Sequence, residues 1–191
     1  NTTEKQLERQ PGGFIQGTPR KRRILPVLTD NQDDRQPVSA RELLTFPYNV
    51  ICRVRSLFPS KDTTIGTAWY VSPQVLVTAG HVVHDRRYGG WAKTIQLWSP
   101  ERQQWENALN WTCTADWEKD GENKTTRDFG AIKSSIASTA YLGMEVVSDD
   151  VKLSRCGLTI AGYASDKQRE GPQMVRATCM GCQPQIGRAH V

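Results

Sequence analysis

The 191-residue chain is 37% hydrophobic and 24% charged, and its six Trp, five Tyr and four Phe supply core material for one or two domains, which argues against disorder throughout. No apolar run approaches the roughly 20 residues of a spanning helix, so neither a membrane protein nor a membrane partner is expected. The formal charge of +5 sits at the ends: residues 1–23 hold six of the 25 basic and two of the 20 acidic groups, Arg188 adds one cation, and residues 24–185 carry eighteen charges of each sign, so no nucleic-acid partner is expected.

Residues 1–23 are polar, contain Gly and Pro and lack apolar periodicity, so they read as a flexible leader or propeptide. The leader ends in Arg20-Lys21-Arg22-Arg23, a place for a processing protease to cut or, equally, a solvated charge run or nucleic-acid tail. Beyond it, Tyr48–Leu57 alternates apolar and polar side chains as a half-buried strand does. Ile65–Val71 and Val75–Thr78 follow, with Ser72-Pro73 as their turn, and Val75–His84 ends in one helical turn. Thr94–Trp98, Phe129–Lys133, Cys156–Tyr163 and Gln173–Thr178 are further strands. Short strands with 15 Gly and 10 Pro predict an all-β barrel or sandwich; there is no internal repeat.

Only three histidines occur, His81, His84 and His190. His81 follows an apolar strand and a small Ala79-Gly80 pair that lets the backbone turn and present an imidazole at the strand's end. His84 and Asp85 read as surface residues. The five cysteines (Cys52, Cys113, Cys156, Cys179 and Cys182) are odd in number, which in a secreted chain leaves a free thiol or a missing partner. Cys179-Met180-Gly181-Cys182 has the spacing of half a zinc site, but zinc needs about four ligands and no second pair exists, so neither metal nor cofactor is expected. Asn-X-Thr stands at Asn1, Asn110 and Asn123, either by chance or as glycosylation acceptors.

Gly66-Thr67-Ala68-Trp69-Tyr70-Val71-Ser72-Pro73 followed by Thr78-Ala79-Gly80-His81 resembles the histidine region of chymotrypsin-like serine proteases, in particular the glutamyl endopeptidase branch and its bacterial relatives. Arg127-Asp128-Phe129-Gly130-Ala131-Ile132 resembles the segment carrying their catalytic aspartate. Ile24-Leu25-Pro26 with Asp33-Asp34-Arg35 is similar to the branch's mature N-terminus, and Phe46-Pro47-Tyr48 with Ile51-Cys52-Arg53 to its first barrel strand. Gly90-Trp91-Ala92-Lys93 and Ala161–Lys167 fit in the same order, so the resemblance covers roughly residues 24–180. It implies a chymotrypsin-like double β-barrel: a closed, six-stranded antiparallel first barrel within residues 24–135 and a partial second barrel over 136–185. It further implies a secreted, monomeric serine endopeptidase acting on protein or peptide substrates, a zymogen whose mature chain begins at Ile24, with His81 as general base and Asp128 as its orienting carboxylate. The two should face each other at the barrel rim. Many relatives carry a bridged Cys directly after the catalytic His; Val82 stands here, so that bridge to the strand of Cys52 cannot form.

The Gly-X-Ser-Gly nucleophile motif of such enzymes is absent: Ser134, Ser135, Ser138 and Ser165 all lack the flanking glycines. The last six residues, Ile186-Gly187-Arg188-Ala189-His190-Val191, back-translate into a common sequencing-library adapter with a stop codon next in frame. The natural sequence is therefore expected to end near Gln185, His190 to be no ligand, and the chain as written to be an inactive fragment. The competing reading is a non-catalytic protease homologue that uses the double barrel to bind proteins.

Overall fold

In this computed structural model residues 35–120, 127–144, 157–164 and 173–180 are described. The basic run Arg20–Arg23, the mature start at Ile24, Asn1 and Asn123, Ser165, Cys156, Cys182, the Cys179 side chain and the tail from Ile186 to Val191 lie outside them.

Six strands close into a barrel: β2 (Ile51–Leu57), β3 (Thr63–Tyr70), β4 (Val75–Thr78), β7 (Thr94–Ser99), β8 (Gln104–Cys113) and β9 (Gly130–Ser134), with spatial order β2-β3-β4-β9-β8-β7 and every pair antiparallel. Two-residue periodicity decides what fills it. Cys52, Val54 and Ser56 of β2 and Ile95, Leu97 and Ser99 of β7 point inward, while Arg53 and Arg55 lie on the outer face over the Trp105 ring. Val50, Phe58, Ala68, Leu76 and Ile132 complete the apolar core, and Leu76 lies opposite Ile132 across β4 and β9.

Strand β8 is absent from the sequence reading. Its QWENALNWTC string offers no apolar alternation, because its buried member is Glu106, whose charge is met by Arg102 at 3.1 Å. A bulge between Ala108 and Asn110 shifts its register against β9.

Short pieces decorate the barrel: α2 (Gly80–Val83) at the end of β4, a ribbon of β5 (His84–Asp85) with β6 (Gly90–Trp91), and α3 (Ala115–Asp120) between β8 and β9. The ribbon corrects one expectation. His84 and Asp85 are buried at 7% and 5% exposure, because pairing with Gly90-Trp91 folds them inward. The His84 ring packs edge-on to Trp91, and Asp85 accepts from the Arg87 backbone and ion-pairs with its side chain at 2.6 Å.

A second sheet of three described strands, β1 (Gln36–Pro37), β11 (Val175–Met180) and β10 (Gly157–Gly162), packs beside the barrel. Val38, Tyr163 and Met174 bury against Ile51, Trp69 and Trp98 of the first barrel. Contact is tight at Gly162, where a Cβ would stand 2.8 Å from Thr67 Oγ1. Helix α1 (Ala40–Leu43) ties the N-terminal segment down with a capping box: Ser39 Oγ and Ser39 N–H both donate to Glu42 Oε2, and Arg176 of β11 donates to Glu42 Oε1 at 2.6 Å. The Ser39 hydroxyl first, then its N–H, then Arg176 hold the Glu42 carboxyl at about 2.

Two outcomes follow from this packing. Leu76→Ala removes a fully buried side chain and lowers unfolding free energy by about 2–5 kcal/mol, whereas Leu109→Ala, at a site 60% exposed, changes it by no more than about 0.5 kcal/mol; urea titration separates the two. Because the folded-state Glu42 pKa lies below its usual 4.5, the contribution of its contacts is complete above that value and lost as pH falls towards 2. Ser39→Ala moves the Glu42 midpoint, followed by carboxyl ¹³C NMR, up towards 4.5.

Candidate active site

Strands β4 and β9 run antiparallel with Thr78 paired to Gly130. The chain therefore leaves β4 beside the point where it enters β9. Three residues past β4 stands His81, and two residues before β9 stands Asp128. Ala79 is extended and Gly80 opens the single helical turn that swings the imidazole over the rim.

Asp128 grips His81 with both oxygens. Oδ1 accepts the His81 backbone N–H at 2.8 Å, and Oδ2 lies 2.7 Å from Nδ1. The side chains are 28% and 21% exposed, screened from water but open on one side. A carboxylate only accepts, so it selects the Nδ1–H tautomer and leaves a lone pair on Nε2. Among the described residues Nε2 has no hydrogen-bond partner, and no serine hydroxyl bonds to His81: Ser134 Oγ serves Tyr70 and the Ile136 N–H, Ser138 Oγ serves the Ala140 carbonyl, and Ser56 and Ser99 are buried. The arrangement can take a proton at Nε2 and stabilise the resulting imidazolium.

Cys52 and Cys113 are free thiols. Burial pushes Cys52 up to about 12 and Cys113, near Asp128, up to about 11, so neither is a ready nucleophile. Val82 is buried in the same core as Cys52, and a Cβ on Gly66 would stand 2.7 Å from its Cγ2. Trp117, the side chain beneath the pair, was missed by the sequence reading. Its signal was present: Thr114 followed by Asp116 and Glu118 is a helix start, and Thr114 Oγ1 accepts the Trp117 N–H at 3.3 Å.

No protein-family model matches the chain. A Bacillus licheniformis protein named glutamyl endopeptidase is 28% identical over 161 residues, covering 76% of this chain and 47% of the relative. A Bacillus subtilis protein named extracellular metalloprotease is 27% identical over 159 residues, covering 75% and 47%. The chain thus spans about half the length of these curated relatives. Among solved structures, a Glu endopeptidase superposes with a TM-score of 0.63 at 19% identity, covering 78% of this chain and 69% of that one. The thermostable serine protease AL20 gives 0.55 at 14% identity, covering 73% and 69%. These superpositions establish the chymotrypsin-like fold, with the second barrel partial. Among the described residues no three His, Cys, Asp or Glu side chains converge as a metal site would need.

The thiol chemistry is directly checkable. Near pH 8, iodoacetamide leaves Cys52 and Cys113 of the folded protein essentially unmodified, and both react once urea unfolds the chain. Peptide mapping by mass spectrometry reads the outcome.

Proposed function

We propose that this chain, a homologue of the chymotrypsin-like serine proteases of the glutamyl endopeptidase branch, carries the base and the orienting carboxylate of a serine endopeptidase. The observation that supports this most is the double grip of Asp128 on His81, 2.8 Å to the backbone and 2.7 Å to Nδ1. This grip leaves Nε2 without a hydrogen-bond partner among the described residues, which is the state a general base needs.

In the proposed reaction a serine hydroxyl attacks the peptide carbonyl carbon as His81 Nε2 removes its proton. Asp128 stabilises the imidazolium without itself being protonated. The imidazolium then gives that proton to the departing amine, leaving an acyl-enzyme, and water repeats the cycle in reverse order to release the acid. The serine and its oxyanion-hole amides come, on this reading, from the part of the relatives' length that the chain does not span. No Gly-X-Ser-Gly occurs among the 191 residues, so the chain alone is inactive. Substrates are proteins or peptides. Secretion, with release of the mature chain at Ile24, is the accompanying proposal, in keeping with the extracellular name of one relative.

The decisive experiment assays, on casein and a glutamyl peptide, the chain alone and the chain extended by whatever in-frame coding sequence its transcript supplies. Turnover should appear with the extension and be absent without it. Asp128→Asn in the extended protein lowers kcat by about 10⁴-fold through the wrong tautomer, and His81→Ala by about 10⁶-fold. An extended, folded protein whose turnover ignores His81→Ala would sink the assignment. One that binds peptides without cleaving them selects the binding-module reading.

A further inference from the structure

Helix α3 and Thr114 just before it contact the chain segments that carry both His81 and Asp128. Thr114, just before it, donates its backbone N–H to the Phe129 carbonyl at 3.0 Å and its hydroxyl to the Arg127 carbonyl, one bond on either side of Asp128. From inside the helix, Trp117 reaches the other strand end, where its indole Nε1–H donates to the His84 carbonyl at 2.8 Å, one residue past α2. Arg86 closes the far end by donating to the carbonyls of Glu118 and Lys119.

The Trp117 ring, 5% exposed, lies edge-on to the His81 imidazole with centroids 6.3 Å apart. It also lies against Gly80: a Cβ there would stand 2.7 Å from Trp117 Cδ1, 2.8 Å from Cγ and 3.0 Å from Asp128 Oδ1. Gly80 and Trp117 are therefore complementary, the missing methyl of one making room for the indole of the other. An indole is rigid, so it cannot yield to a methyl as a flexible side chain would.

We propose that Trp117 is a positioning residue for the His81–Asp128 pair, its ring wedged against Gly80 and its N–H tethering the far end of α2 so that His81 Nδ1 stays on Asp128 Oδ2. The importance of this for turnover rests on the proposed function; the positioning itself does not. A wedge that only fills space would affect stability alone. A wedge that positions the pair affects the Nδ1–H bond, and histidine NMR reads that bond without a nucleophile.

The test uses the full chain labelled with ¹⁵N-histidine. The Nδ1–H proton of His81 is expected far downfield, assigned by its loss in Asp128→Asn. Trp117→Leu removes the ring and the N–H, and the resonance broadens beyond detection while the dispersion of the backbone amides persists. Trp117→Phe keeps an aromatic ring against Gly80 but removes the N–H tether, and the resonance broadens less than in Trp117→Leu. Gly80→Ala alone loses it too, because the new methyl would stand 2.7 Å from the indole Cδ1. A folded Trp117→Leu chain with an unchanged resonance overturns the proposal; if that variant does not fold, an unchanged resonance in Gly80→Ala overturns it instead. If the resonance behaves as expected but the extended protein's turnover ignores His81→Ala, the positioning stands and the catalytic reading falls.

Discussion

One carboxylate organises the rim of this barrel. By accepting from the His81 main chain with Oδ1 and meeting the ring with Oδ2, Asp128 fixes the backbone turn and the imidazole rotation together. Either bond alone would leave a freedom: a ring held only at Nδ1 can travel with its backbone, and a backbone held only at its N–H lets the ring swing about χ1. Both bonds depend on strand register. Thr78 faces Gly130, so the two chain ends emerge side by side. A one-residue slip would turn every inward side chain of β9 outward and carry Asp128 away from His81.

The barrel interior holds that register with unequal means. Leu76 and Ile132 bury apolar surface where β4 meets β9, yet Ser56, Thr78 and Ser134 are also fully or almost fully enclosed. Ser56 Oγ has no hydrogen-bond partner among the described residues, whereas the other two hydroxyls are satisfied. Tyr70 donates to Ser134 Oγ at 3.0 Å, which in turn accepts the Ile136 N–H, and Thr78 Oγ1 donates to the Thr67 carbonyl at 2.8 Å. Directly above, Val82 and Val83 plug α2 into the core, so the helical turn carrying His81 is held by packing. The burial that seats Val82 also leaves Cys52 as an inert thiol.

How far the sequence could be read follows from which residues declare their environment. The strand around Cys52 alternates apolar and polar side chains, and Thr78-Ala79-Gly80-His81 with Arg127-Asp128-Phe129-Gly130 pointed to the pair that the structure brings within 2.7 Å. Strand β8 stayed hidden because its inward residue is a charged Glu106 that becomes acceptable only beside Arg102, a contact no periodicity reveals. His84 and Asp85 look polar and therefore exposed; a two-residue ribbon with Gly90-Trp91 buries them, and nothing local announces that pairing. Gly80 was read as a turn residue. Its other reason, the indole of Trp117 thirty-seven positions away, exists only in three dimensions.

The same residue that supports the end of β4 also joins the two sheets. Thr67 accepts the Tyr163 N–H at 2.8 Å through its hydroxyl, and its carbonyl accepts from Thr78, the last residue before the turn to His81. Gly162 is bare because Thr67 occupies the space a Cβ would need. The Tyr163 ring, edge-on to Trp98, extends this contact across the outer face of the barrel, and Met174 and Val38 seal its other side. Under the proposed function a nucleophile supplied beyond the first barrel must meet His81 Nε2 within hydrogen-bond reach, about 3 Å, and errors of about 1 Å are costly. A loose junction would pass its full error to that distance. Here the junction and the histidine turn share a backbone segment, so a displacement of the second sheet pulls on the strand end that aims the imidazole, and the two halves of the proposed triad keep a common frame.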